Sequence, residues 1–267
     1  MKQRVATYPR LYLAFPAVGV FTLKTRMAMS LLLGLLIRYN RMAIRIALIG
    51  DHQPEVAAHI TIPKALKLAT VQPGTTITFD WLASATLMPQ DINKYNGVWG
   101  VPYSPYRNMD NILNAIQHPR TKAIPYLGTC AGYQHAVLEF ARNQLGLQDA
   151  DNTEVNESTR CPLISSLYCG LVEVSDHIFL QADSKISTLY GETDIEEGYH
   201  CSYGVNRGHL DIFSHSDMRF AGFDKGQDPR VFELNNHPFF LGTAYQPERS
   251  TLSGDTHPLI TAFAIAA

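Results

Sequence analysis

The chain has little of what announces most specialised proteins. Its 267 residues hold only four cysteines, Cys130, Cys161, Cys169 and Cys201, and no C-x-x-C pair. That count rules out a disulfide framework and matches no zinc template, so the four read as thiols of a reducing, cytoplasmic protein without a metal site. No G-x-x-x-x-G-K-[ST] run cradles a nucleoside triphosphate, and no other cofactor motif is present. The formal net charge is only -2, with no basic helix or aromatic-rich basic strip, which argues against nucleic acid as a partner. Small molecules are the expected ligands. With 46% apolar and 17% charged residues, the chain can bury one large core or two modest ones.

Acidic residues are absent from positions 1–41, which carry seven basic ones and the apolar run MAMSLLLGLLI, Met27 to Ile37. Eleven residues cannot span a bilayer, which needs about 20. The segment looks like the start of a signal peptide but has no small-residue cleavage site before Ile44. It reads as an upstream basic and apolar extension rather than a membrane anchor, with one domain over residues 42–267.

What is present centres on YLGTCAGYQHAVLEFARNQLG, residues 126–146. A short apolar run of strand type meets a helix-period run in which Ala136, Leu138, Phe140 and Leu145 recur, and Gly146 supplies the stop. Cys130 sits at the junction, flanked by Gly128 and Gly132 at i-2 and i+2, where a tight elbow needs small residues. A thiol presented there is a nucleophile candidate, and the helix-opening amides can lower its pKa and hold an oxyanion. A buried structural cysteine is the alternative.

Around this junction strands and helices alternate. Strands are expected at Ile44–Ile49, Thr75–Leu82 and Gly97–Gly100. Helices are expected at Ile60–Ala69, with Pro63 near its first turn, and at Asn108–His118. This is the pattern of an α/β fold with a doubly wound, mostly parallel sheet, flanking helices and the site at the carboxyl ends of its strands. Extra short strands follow at Leu171–Val174, Arg219–Phe223, Val231–Leu234 and Phe240–Tyr245, before a helix around Pro258–Ala266.

The run GTCAGYQ followed by EFARNQLGLQDADNTE resembles the glutaminase domain of CTP synthase, a class I glutamine amidotransferase. EEGYHCSYGVN resembles that family's segment ending RYEVN, and HPFFLGTAYQPERS its stretch ending HPE. The likeness runs from Ile44 to the C-terminus and is closest to small stand-alone proteins related to the CTP synthase C-terminal region. It implies a flavodoxin-like fold, Cys130 as nucleophile and a link to pyrimidine nucleotide biosynthesis. It also implies an amino-acid-like substrate, with an acceptor or synthase subunit and self-association as further partner expectations.

Residue by residue, the chain departs from that pattern. The HPE position reads Gln246, Pro247, Glu248, and glutamine cannot act as a base. The two arginines that hold the substrate carboxylate in the family stand here as His200 and Ser202, and neither reproduces a bidentate clamp. Gln134 and Glu154 match positions that bind the amide and the amino end, and Tyr203 belongs to the same substrate segment. The oxyanion loop reads GVPYSPYRN, residues 100–108. Tyr103 and Ala131 can still supply two amides there, and Arg107 is a further loop candidate. A rigid proline turn capped by Asn108 explains the same loop without a ligand. His200 is the leading replacement base. These readings converge on a Cys130-dependent enzyme acting on an amide or other C–N bond of an amine-bearing molecule. The alternative is an inactive relative that binds a metabolite or regulates a partner.

Overall fold

The computed structural model describes residues 43–267 except 70 and 72, so the reading of residues 1–41 lies outside the described residues. A single ten-stranded mixed sheet carries the described chain. Its first half consists of β1 (Ala43–Ile49), β2 (Thr76–Leu82), β3 (Gly97–Gly100), β4 (Tyr126–Thr129) and β10 (Phe240–Thr243). They run parallel in the order β2-β1-β3-β4-β10. Ile46, Leu48, Val98, Trp99 and Leu127 are fully buried, the near-continuous apolar content that a parallel sheet covered by helices demands. The covering helices are α1 (Ala57–Leu68), α2 (Met109–Lys122), α3 (Ala131–Asn143) and, near the C-terminus, α5 (Pro258–Ala266).

The α/β class and the mostly parallel first half agree with the sequence reading, while two local details differ. Helix α1 starts at Ala57, three residues earlier than expected, so Pro63 lies inside it rather than in its first turn. The C-terminal half is not built only of short strands. Beyond β10 the sheet turns antiparallel through β9 (Pro229–Leu234) and β8 (Met218–Phe223) to β6 (Cys161–Leu180). Strand β6 is 20 residues long and pairs with β7 (Asp194–Val205). Only part of it was legible, because Pro162, Ser165, Ser166 and Gly170 interrupt the β-branched pattern and the pairing shifts register at two places. The short β5 (Ala150–Asn152) closes that edge, and α4 (Lys185–Tyr190) links β6 to β7.

Two contacts set where α3 begins. Tyr126 on β4 donates its hydroxyl to the Gly132 carbonyl at 2.9 Å, and a Cβ on Gly132 would overlap the Gly100 carbonyl of β3. Further along, Arg120 of α2 makes a bidentate ion pair with the fully buried Glu139 of α3, with both contacts at 2.8 Å. The two helices therefore lock together behind the elbow.

Because the Gly132 contact is backbone against backbone, Gly132→Ala is expected to cost on the order of 3 kcal/mol in a urea unfolding titration. Gly146→Ala has open space around it and a φ of +76°, and should cost only about 1 kcal/mol.

Candidate active site

Cys130 ends the turn from β4 into α3 with φ 50° and ψ -105°, a strained conformation for a residue with a Cβ. Its amide donates to the Thr243 carbonyl of β10 at 2.9 Å, and its carbonyl accepts from Gln134 at 3.1 Å. The thiol is only 6% exposed and lines a cavity of about 470 Å³. Ala131 follows as the first helical residue, with an N–H that has no acceptor within the helix. Across the cavity stand Pro102 and Tyr103, the latter with φ 85°.

The position of this loop depends on a residue that sequence reasoning missed. The buried ring of His59 accepts the Gln53 amide at Nδ1 (2.9 Å) and donates from Nε2 to the Pro102 carbonyl (2.9 Å). Burial holds its pKa below the usual histidine range, which suits a neutral ring with this one tautomer. In a trans peptide the N–H opposes the carbonyl, so His59 sets the direction of the Tyr103 amide. Arg107 is not part of the cavity. Its amide is tied to Asp51 at 2.8 Å, Asn108 caps α2 by accepting the Asn111 amide at 3.0 Å, and the Arg107 side chain is left exposed.

Strand β7 forms the opposite wall, and its alternation separates neighbours. Tyr199 and Cys201 face inward and are buried, while His200 and Ser202 are exposed at the rim. His200 is therefore not placed as a base. Its side chain is 53% exposed and its Nδ1 is bonded to Glu173 at 2.7 Å. What approaches the Cys130 thiol is the main-chain carbonyl of His200, 3.6 Å from Sγ. The inward thiol of Cys201 donates to the Tyr203 carbonyl at 2.9 Å, lines the same cavity as Cys130, and shifts the ionisation of the Cys130 thiol. A period-two reading of EEGYHCSYGVN would have placed Cys201 inward, since it puts Cys201 on the face opposite His200.

Gln134 is placed differently from its expected role. Its amide nitrogen donates to Cys201 Sγ at 3.1 Å and to the Tyr203 carbonyl at 2.8 Å, so the donor end is occupied by the protein. Its Oε1 is buried without a partner. Glu154, positioned by the bond from its own amide to Asn152 at 2.9 Å, lines the same cavity with one buried carboxylate oxygen unpartnered.

Gln246 lines the cavity with Cys130 and pulls the thiol's pKa down. Arg249 Nη1 donates to Gln246 Oε1 at 3.3 Å, which leaves the Gln246 NH₂ as the group that can face sulfur. Arg249 is also paired with Glu173. Glu173 is the unpaired residue of a bulge in β6, with φ 52°, a device that re-aims a side chain. Glu248 orients nothing: both carboxylate oxygens are fully buried with no hydrogen-bond partner, because glutamine at 246 offers it no ring N–H. Burial pushes its pKa up to about 8.

The electrostatics follow from these neighbours. The neighbouring Cys201 thiol, then burial, then the Glu248 carboxylate hold the Cys130 thiol well above its ordinary range, against a lowering pull from Gln246. The Cys130 neighbour, with help from the Tyr203 backbone and Arg230, holds Cys201 below its ordinary range. The remaining charges at the cavity are the carboxylates of Glu55, Glu154 and Glu173, with the Arg249 guanidinium opposing them. Among the described residues no cluster of His, Cys, Asp or Glu is arranged to hold a metal ion. No described helix is long and apolar enough to cross a membrane.

No protein-family model matches the chain. The CTP synthase of Neorickettsia sennetsu is 31% identical over 240 residues, 82% of this chain and 44% of that protein. The CTP synthase of Sulfolobus acidocaldarius is 32% identical over 219 residues, 77% of this chain and 41% of that protein. The chain thus spans less than half the length of these curated relatives. Among solved structures, the glutaminase domain of Trypanosoma brucei CTPS with bound acivicin superposes with a TM-score of 0.75 at 19% identity. That match covers 84% of this chain and 93% of that one. A glutamine amidotransferase from Thermotoga maritima gives a TM-score of 0.50 at 12% identity, over 82% and 90% of the two chains. These two structural matches share the fold.

The orphaned Glu248 makes a stability prediction. Its folded pKa of about 8 lies above the ordinary 4.5, so between those values the folded state binds the extra proton. Its contribution is full below 4.5 and is lost as pH rises through 8. Glu248→Gln should flatten the fall in urea midpoint across that window, and an unchanged slope would show the carboxylate to be solvated.

Proposed function

Because the chain is a class I glutamine amidotransferase-like protein resembling the glutaminase domain of CTP synthase, we propose that it is a cysteine-dependent hydrolase or transferase and not an efficient glutaminase. Cys130 would attack the carbon of an amide, or of another C–N bond, in a small amine-bearing substrate. Tyr103 and Ala131 would receive the oxyanion on their amides, and Glu154 would hold the amine. The observation that carries this reading is Gln246, which lines the cavity with Cys130 at the place where the family has its histidine. It can donate to a thiolate but cannot take a proton, and loss of a general base removes roughly 10²- to 10⁴-fold in rate. The rim reinforces it. His200 and Ser202 replace a carboxylate clamp, and Arg249, the cation closest in kind, is already paired with Glu173. A ligand with an ammonium group and no glutamine-like carboxylate suits the excess of acids in the cavity.

The same proposal extends to context: a cytoplasmic role connected with pyrimidine nucleotide metabolism, with an acceptor or synthase subunit supplied by another chain. A second reading is a catalytically inactive relative that binds a metabolite or regulates a partner. It draws on the elevated Cys130 pKa, since a neutral thiol is a weak nucleophile.

The reduced protein, assayed with glutamine, should release ammonia very slowly or not at all. A panel of amides and amidines carrying a free amine should include one whose hydrolysis is lost in Cys130→Ala. Gln246→His should lower the pH midpoint for alkylation of Cys130 by iodoacetamide, by placing an imidazole next to the thiol, while leaving glutamine a poor substrate. Brisk Cys130-dependent glutamine hydrolysis by the unaltered protein would refute the reading of Gln246. Inertness of Cys130 to alkylation at every pH would favour the inactive relative.

A further inference from the structure

We propose that Cys130 and Cys201 form a reversible dithiol/disulfide couple, oxidised by small hydroperoxides that enter the cavity. The two thiols come from distant parts of the chain, the start of α3 and the inward face of β7, and line the same cavity. Each is nearly but not fully buried, at 6% and 7% exposure, so a ligand can reach them while bulk solvent is held back. Cys130 Sγ lies 3.6 Å from the carbonyl of His200, the residue immediately before Cys201, and each thiol shifts the ionisation of the other.

Polar groups around the pair distinguish its two members. The Gln134 amide donates to Cys201 Sγ at 3.1 Å, a contact that stabilises a thiolate, and the Tyr203 carbonyl 2.9 Å away accepts the S–H when the sulfur is protonated. Cys201 is therefore the sulfur that attacks the peroxide. Its thiolate displaces alkoxide or hydroxide from the O–O bond, leaving a sulfenic acid on Cys201, and the departing oxygen takes a proton to become alcohol or water. Cys130 then attacks that sulfur. The S–S bond forms, the S–O bond breaks, and the Cys130 proton leaves with the hydroxyl as water. In sum, two thiols and one hydroperoxide give one disulfide, one alcohol and one water. A small dithiol returns two electrons and two protons to restore the pair. With hydrogen peroxide the products are the disulfide and two waters.

This couple does not depend on the C–N chemistry proposed above, and its test needs no substrate. The reduced full-length protein is treated with one equivalent of hydrogen peroxide, then examined by intact mass and by peptide mapping without reductant. The expected result is loss of two hydrogens per chain and a single cross-link joining the Cys130 and Cys201 peptides. Iodoacetamide labelling should be lost at both positions together and return after dithiothreitol. In Cys201→Ser the cross-link should vanish. Because the principal measurement is made on the unaltered chain, a folding defect in that variant would not obscure the answer. The proposal is overturned if peroxide leaves both thiols free, drives either to sulfinic acid without a cross-link, or joins a different pair. Amine release is assayed on reduced protein, so failure of one reading leaves the other standing.

Discussion

Everything at the site depends on how closely the backbone of α3 approaches β3 and β4. A Cβ on Gly128 would meet Gly132 backbone atoms at 2.8 Å, and one on Gly132 would overlap Gly100. The helix therefore begins almost on top of the sheet, and Cys130, the last residue before it, is forced into a positive φ. That strain holds the thiol at the carboxyl ends of β4 and β10, where the cavity opens. The hydroxyl of Tyr126 and the bidentate Arg120–Glu139 pair fix the helix from two other sides. The position of Cys130 is thus over-determined by the scaffold and owes nothing to its partners.

Those partners have been rearranged as a group. With glutamine at 246, the carboxylate of Glu248 loses the ring it would orient and stays sealed without a hydrogen bond. The side chain of Gln246 turns to Arg249, Arg249 turns to Glu173, and Glu173 also engages the ring of His200. A continuous polar chain runs from Gln246 to the cavity rim, where it ends in solvent. Each link explains the next, which is why single residues judged in isolation are misleading here. Arg249 is a case in point: at the cavity edge it looks like a free cation, yet its charge is already answered.

How much was legible in advance follows the range of the interactions. The elbow was readable because its signal is local: a strand-type run, two glycines around a cysteine, then a helical period. Strands β1, β3 and α5 were found for the same reason. His59 was not found, since its two bonds join Gln53 and Pro102, and no periodicity connects residue 59 with residue 102. Glu173 was equally hidden, because a bulge is a property of the pairing and not of one strand. The misassignment of His200 was different in kind. Strand alternation was available in EEGYHCSYGVN and would have separated it from Cys201, but the family resemblance drew attention to the ring.

That alternation gives the bulge in β6 a meaning beyond geometry. Pairing in β6 and β7 jumps between Val172 and Val174, with Glu173 standing out of the ladder. A strand that slips by one residue exchanges its two faces. A slip of β7 would turn His200 and Ser202 inward and carry Cys201 to the surface, converting a sulfur-lined wall into one of imidazole and hydroxyl. The register of β6 against β7, set by one extra residue, is thereby a choice between two chemistries written on the same strand.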